Sequence, residues 1–411
     1  MYIKESEAVG TRLRQIRRYN LKEKSVSLKI MNLFIYTFGC KINQYESQII
    51  REKYCLKDFV YVDNFEQADA IIINSCSVTA HADKQCEQII KKFHTKNEKA
   101  KIILTGCFAK VSKDKILQKF PFIEILMKEE ILKDTEQEIK NFDNHSRAFI
   151  KIQDGCNSFC SYCIVPYARN IMWSKPVDKI IEEINNLTNI GYSEIVLTGI
   201  HIGKYDKGIS YLLSQIYTNI NKPFRIRLSS IEVNEITDDL INIMKEEKER
   251  FCHHLHIPLQ SASDKVLKDM NRKYLSEDFL DKMNLLKQNF PDISITTDVI
   301  CGFPTETDED FDITYKFLKD NEFARLHVFP FSPRQGTKAY LLKQVYKNGQ
   351  SKIRTDKLLN LSKELEQSYF NKFVGTTRKA VSLRGNKALT DNYLTIENIE
   401  KHNGIFEVEI K

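Results

Sequence analysis

No stretch of this 411-residue sequence is apolar over a length that could cross a bilayer, which excludes a membrane-spanning helix. Residues 1–30 lack an apolar core behind their charges, and Glu5, Glu7 and Glu23 interrupt the basic stretch. That start reads neither as a secretory signal nor as a transit peptide, and a cytoplasmic location is expected. Low-complexity segments are missing too, so no part of the chain is set aside as compositionally biased. A large excess of one charge is also missing: 62 Lys and Arg against 55 Asp and Glu leave a formal +7. This mild positive balance fits a nucleic-acid partner without demanding one. Disulfides are not expected in a reducing compartment. The ten cysteines are therefore read as ligands where their spacing is regular. Cys55, Cys86, Cys252 and Cys301 show no such pattern and read as structural thiols.

With 42% hydrophobic and 28% charged residues, the chain reads as two or three globular domains. Residues 1–30 form a polar leader, and Met31 offers an alternative start. Over 31–142 short apolar runs alternate with polar, helix-like stretches: Leu33–Thr37, Ala70–Asn74 and Ile102–Thr105 have buried-strand character. That alternation predicts a parallel α/β domain of flavodoxin-like type. It restarts over 143–373, with strands near Ala148–Ile152, Glu194–Leu197, Phe224–Leu228, Leu255–Ile257, Ile293–Val299 and Leu326–Phe329. Six strand–helix units predict a partial (β/α)6 barrel, closed by a long polar helix near Ser351–Phe373. Residues 374–411 read as short strands with turns at Arg384-Gly385-Asn386 and His402-Asn403-Gly404, a small β-barrel.

Two sets of cysteines carry the chemistry. Cys156, Cys160 and Cys163 have the spacing C-x3-C-x2-C in a loop just after a strand. Three thiolates on one tight loop can hold three irons of a four-iron cluster and leave the fourth open to a small molecule. A structural zinc site is the alternative, but it wants four ligands, and no further Cys or His follows in register. Cys40, Cys76 and Cys107 each stand at the end of a strand in three successive α/β units. Sites in open parallel sheets lie at the carboxyl ends of strands, so three such cysteines can converge.

The stretch Gly155-Cys156-Asn157-Ser158-Phe159-Cys160-Ser161-Tyr162-Cys163-Ile164-Val165-Pro166-Tyr167-Ala168-Arg169 resembles the radical S-adenosylmethionine (radical SAM) methylthiotransferase family. So do Gly39-Cys40-Lys41-Ile42-Asn43-Gln44-Tyr45-Glu46-Ser47, Asn74-Ser75-Cys76-Ser77-Val78-Thr79 and Thr105-Gly106-Cys107. The likeness runs from about Met31 to about Phe373, and the C-terminal piece resembles the family's RNA-binding TRAM barrel. It implies two 4Fe–4S clusters, one on Cys156, Cys160 and Cys163 and an auxiliary one on Cys40, Cys76 and Cys107. It implies S-adenosylmethionine as cosubstrate, tRNA as partner, a flavodoxin- or ferredoxin-type electron donor and an unidentified sulfur donor. In the implied reaction one S-adenosylmethionine methylates sulfur at the auxiliary cluster. A second is reductively cleaved, and its radical removes hydrogen from adenine carbon 2, where the methylthio group enters. The first motif, with Leu197-Thr198-Gly199-Ile200-His201 and Leu228-Ser229-Ser230-Ile231-Glu232, is similar to the branch acting on threonylcarbamoyladenosine beside the anticodon. Other branches act on isopentenyladenosine or on an aspartate of a ribosomal protein. Outside the family, a radical SAM enzyme with a cobalamin-type domain and a non-catalytic zinc RNA-binding protein remain open.

In a barrel, ligand contacts come from the carboxyl ends of strands. Thr198, Gly199, Ser230, Glu232, Gln260 and Asp298 are thus expected to face the cosubstrate, or else to pack at strand ends. Tyr162 is expected near adenine, by resemblance. RNA contacts are expected from Lys41, Arg169, Arg272 and Arg334, with Lys175, Arg225, Arg227 and Lys273 as further basic candidates. By alternation His254 and His256 share one strand face and His253 takes the other, as packed or hydrogen-bonded residues.

Overall fold

The computed structural model describes residues 30–55, 59–132, 138–142 and 146–411. The leader expected over 1–30 lies outside the described residues except for Ile30. The chain divides into two compact units, with the division between Lys140 and Asn141.

In the first unit, β1 (Met31–Thr37), β2 (Phe59–Tyr61), β3 (Ala70–Ser75), β4 (Lys101–Gly106) and β5 (Glu124–Ile125) pair in the order β2-β1-β3-β4-β5, all parallel. This is the flavodoxin-like order, whose switch point lies between β1 and β3. The central strand β3 is buried along its whole length, as its Ile71-Ile72-Ile73 run predicts for a strand covered on both faces. β2 and β5 are short edge strands that the sequence pattern did not mark. One helix layer is anchored by Cys86, Ile90 and Phe93 of Ala80–Lys96, which pack on Ile71, Ile73, Ile102 and Leu104. Thr79 caps this helix, accepting from Ala82 N.

In the second unit, β6 (Ala148–Lys151), β9 (Glu194–Thr198) and β10 (Arg225–Leu228) form one parallel sheet. β11 (His254–His256), β12 (Ser294–Cys301) and β13 (Arg325–Pro330) form another. The parallel bridges Ile226–Phe251 and Ser230–His256 join them. The six strands therefore follow one another in chain order, with helices between, as a partial (β/α)6 barrel does. A short hairpin of β7 (Gln153–Asp154) and β8 (Trp173–Ser174) flanks the cysteine loop and was not foreseen.

β14 (Thr377–Leu383), β15 (Lys387–Thr390), β16 (Thr395–Glu397) and β17 (Ile405–Glu409) form an antiparallel sheet in the order β16-β15-β14-β17. A small closed barrel was expected here. Among the described residues the sheet is open, since its edge strands β16 and β17 do not pair with each other. Its apolar face is covered instead by Tyr369, near the end of the long helix Gln350–Asn371, and by Phe373 just past it, packed on Ala380, Ala388, Leu394 and Val408.

Candidate functional site

The first three cysteines sit where three neighbouring strands end. Cys40 lies just past β1, Cys76 directly follows β3, and Cys107 opens a short helix after β4. Adjacent strands lie about 4.8 Å apart, so the ends of β1, β3 and β4 bring the thiols to one sheet edge. Two buried amides tie the loops together. Asn43 Nδ2 donates to the carbonyls of Phe38 (2.9 Å) and Ser75 (3.1 Å), and Asn74 Nδ2 donates to that of Asn43 (2.9 Å). Gly39 has φ +81°, and a Cβ there would stand 2.7 Å from Cys76 Cβ and 2.9 Å from its Sγ. Only glycine admits this approach. Burial pushes the Cys76 thiol up to about 11, and the nearness of Cys40 and Cys107 adds to it. Metal binding to the thiolate offsets both effects.

In the second unit Gly155, at φ +82°, turns the chain into the Cys156–Cys163 loop. A Cβ there would meet the Ile171 carbonyl oxygen at 2.2 Å. Fully buried Gln153 donates to the carbonyls of Asp154 and Gly155 (2.8 Å each) and accepts from the His201 backbone N–H (2.8 Å). Asp154 accepts from Gly155 N (2.9 Å) and from Arg169 Nη1 (3.0 Å to each oxygen). Cys156 Sγ lies 3.6 Å from His201 Nδ1, and His201 Nε2 lies 2.7 Å from a Glu235 carboxylate oxygen. Burial works to raise the Cys156 thiol, but hydrogen bonds from His201 and Ser158 hold it below the ordinary thiol value. Burial works against the His201 cation, yet Cys156 and Glu235 lift that ring to about 9. Burial pushes the Cys163 thiol up to about 12, with Cys160 and Cys156 adding to it.

The donor chemistry of both sets fits a cluster: three soft sulfur ligands each, with Cys40 and Cys107 near enough to act on Cys76, and Cys160 and Cys156 on Cys163. Among the described residues no three His, Cys, Asp or Glu side chains gather tightly enough for a single metal ion. Thiolates on separate irons of one cluster stand further apart than ligands of one ion.

Most of the cosubstrate candidates lie at or just past strand ends, but Asp298, expected at an end, lies inside β12 (Ser294–Cys301). Thr198 ends β9 and is buried; a Cβ on Gly199 would meet Gln153 Cβ at 3.0 Å and its carbonyl oxygen at 3.1 Å. Ser230 is exposed just past β10, and Glu232 is paired with Arg272. Gln260, at φ +67°, bonds β12 on both sides through Asp298 O and Ile300 N. The Asp298 carboxylate meets His256 Nε2 at 3.1 Å. Tyr162 packs on Val266, Met270 and Phe303.

The basic candidates need correction. Arg169 is buried and bonded to Asp154; Arg334 is buried beside Thr337; Arg272 is nearly enclosed, between Cys160 and Glu232. Lys175 is buried on Glu183, and Arg225 and Arg227 are buried on Glu194. A side chain buried in this way lies within the protein and not on an RNA-facing surface. Lys41 remains part-exposed at the start of helix Lys41–Cys55. The histidines behave as read. His254 and His256 share Thr296 Oγ1 (3.0 and 2.9 Å), and His253 meets Asp292 at 2.9 Å. Cys86, Cys252 and Cys301 are buried, whereas Cys55 is exposed. His201, Glu235, Gln153 and Asp154 had been given no role. Their strand-end positions were the available signal, but nothing in sequence pairs Cys156 with a histidine 45 residues away.

Residues 150–318 match the Radical SAM superfamily, and residues 32–128 match Uncharacterized protein family UPF0004. Threonylcarbamoyladenosine tRNA methylthiotransferase MtaB of Bacillus subtilis (strain 168) is 35% identical over 402 residues, covering 88% of this chain and 89% of that protein. tRNA-2-methylthio-N(6)-dimethylallyladenosine synthase of Thermodesulfovibrio yellowstonii is 35% identical over 334 residues, covering 75% and 77%. The radical S-adenosylmethionine methyltransferase TsrM from Kitasatospora setae, solved with cobalamin and a [4Fe-4S] cluster bound, superposes with a TM-score of 0.56 over 73% of this chain and 75% of that one. At 11% identity that likeness is one of fold.

Proposed function

Starting from a chain that belongs to the radical SAM tRNA methylthiotransferase family, we propose that its substrate is threonylcarbamoyladenosine beside the anticodon, converted to the 2-methylthio derivative. The protein is an enzyme of the radical SAM class that transfers a methylthio group to tRNA, with 4Fe–4S clusters and S-adenosylmethionine as its cofactors. The finer substrate reading rests on one observation. Relatives named for threonylcarbamoyladenosine are 32–37% identical over 84–91% of the chain, against 30–35% over 75–90% for those named for dimethylallyladenosine. The first cysteine motif, Gly39 to Glu46, supports the same branch.

We assign Cys156, Cys160 and Cys163 to the radical SAM cluster, and Cys40, Cys76 and Cys107 to the auxiliary cluster. When bound, these clusters supply the radical chemistry and the sulfur transfer that no side chain can perform. The chain's own residues position and tune. Gln153 and Asp154 hold the cysteine loop from beneath. Gly199 keeps the β9 end low, and Ser230 offers an exposed hydroxyl beyond β10. Thr198, Glu232 and Gln260 at or past strand ends, Asp298 within β12 and Tyr162 at the loop are the residues assigned to the cosubstrate.

The test is mass spectrometry of tRNA nucleosides from a host lacking the modification, with and without this protein. The expected product is 2-methylthio-threonylcarbamoyladenosine, abolished by Cys156→Ala or Cys76→Ala. A methylthio mark on isopentenyladenosine would keep the chemistry and overturn the substrate. No new nucleoside from enzyme shown to hold both clusters would turn attention to the ribosomal protein.

A further inference from the structure

The turn that follows helix Asp264–Asp269 grips the Cys156–Cys163 loop. Met270 O accepts from Ser161 N (2.9 Å), and Asp269 O accepts from Ser161 Oγ (2.7 Å). Asn271 Nδ2 donates to Phe159 O (3.0 Å). Both ends of that last bond are left-handed, Phe159 at φ +47° and Asn271 at φ +59°. Asparagine adopts that conformation readily, but a bulky aromatic such as Phe159 holds it only where the surroundings impose it.

Arg272 completes the grip from inside. Its side chain is 5% exposed, stacked by Tyr274 with the guanidinium carbon 4.9 Å from the ring centre. Nη1 donates to Cys160 Sγ (3.4 Å), Nη2 is paired with the Glu232 carboxylate, and Nε donates to Tyr274 Oη (3.1 Å). One planar, permanently charged fork thus joins a cysteine of the loop to a carboxylate at the β10 strand end.

We propose that Arg272 is a positioning residue that fixes the Cys160 thiolate and raises the reduction potential of the cluster held by Cys156, Cys160 and Cys163, with Glu232 moderating its charge. This rests on the assignment of that triad given above. A hydrogen bond to a ligating sulfur and a nearby positive charge both favour the reduced, more negative cluster. Arginine suits the task because its charge does not depend on pH and its donors point in fixed directions. The pairing also explains how a charge is kept in an enclosed site: the guanidinium has partners on three sides.

The test is an EPR-monitored redox titration of the full-length enzyme holding both clusters, following the signal that responds to added S-adenosylmethionine. In Arg272→Met the midpoint of that signal should shift to more negative potential. In Arg272→Lys, which keeps the charge but not the fork, it should shift less. Glu232→Gln should move it the other way, since a negative charge is removed while the guanidinium stays. The Glu232 variant decides the matter if Arg272→Met does not retain its irons. Midpoints unchanged from wild type in Arg272→Lys and Glu232→Gln overturn the proposal. A wild-type enzyme with no signal responsive to S-adenosylmethionine overturns the triad assignment itself, and this proposal with it.

Discussion

At the scale of single residues, both cysteine sites depend on glycines as much as on sulfur. Gly39 combines a left-handed backbone with contact to Cys76, so two separate effects oppose any side chain there. The strain of a non-glycine residue in this region is of order 1–3 kcal/mol, and the added methyl group would also push Cys76 outward. Gly39→Ala is therefore expected to lower auxiliary-cluster occupancy while sparing the other cluster. Iron per chain should fall from about eight towards about four, with the S-adenosylmethionine-responsive signal intact. Full iron content in purified Gly39→Ala would show that Cys76 tolerates displacement. The sequence placed Gly39 next to Cys40, but not against Cys76, 37 positions on; that contact exists only because β1 and β3 are neighbours.

At the scale of elements, the segment Arg225-Ile226-Arg227 shows how a strand pattern can mislead. Two arginines on one face of β10 read as a basic surface. In the structure both reach fully buried Glu194 on β9, which also pairs with Arg147 (3.1 Å). Against complete burial, the three guanidiniums hold the Glu194 carboxyl well below the usual carboxylate range. The same arginines donate to the carbonyls of Lys379 (2.9 Å), Leu389 (3.0 Å) and Thr390 (2.9 Å), fastening β14 and β15 to the start of the barrel strands. Glu194→Gln leaves buried positive charge without its counter-charge, a change that costs about 3–5 kcal/mol. The expected result is a lower urea midpoint together with faster amide exchange in Thr377–Thr390. Exchange there at the wild-type rate would mean that the arginines hold the sheet without Glu194.

At the scale of the whole second unit, stability should carry a pH signature. Asp292 lies between His253, at 2.9 Å, and Arg378, which also bonds Asp391 at 2.6 Å. Burial works to raise Asp292, but His253 and Arg378 hold its carboxyl well below the usual range. Burial works to lower His253, and Asp292 raises it overall. The depressed carboxylate stabilises the fold above its unfolded value of about 3.9 and loses that contribution as pH falls below it. The raised histidine stabilises below its unfolded value of about 6.5 and loses that contribution as pH rises through its folded value. The stability gap between wild type and Asp292→Asn, from urea unfolding, should therefore be widest between about pH 4 and 6.5. It should shrink towards acid, and shrink partly above neutrality, where the Arg378 pair persists. A gap constant from pH 3 to 8 would remove the ionic explanation.

What the residues determined by themselves is the chemistry and the order of the elements. Hydrophobic runs and their spacing marked nine of the strands, because buried parallel strands are rich in apolar residues even where, as in β10, charges interrupt them. The C-x3-C-x2-C loop and the three strand-end cysteines pointed to the donor sets proposed above, because cluster chemistry needs sulfur at particular spacings. What only tertiary structure decided is which charges are inside. Arg169, Arg225, Arg227 and Arg272 carry no mark of burial in sequence; each becomes internal when a distant strand or loop supplies its carboxylate. The physical reason is that hydrophobic pattern is periodic and local, whereas the partner of a buried charge is fixed by the pairing of elements far apart in the chain. The same holds for the C-terminal strands, whose turns were legible but whose open sheet follows from the helix that covers its apolar face.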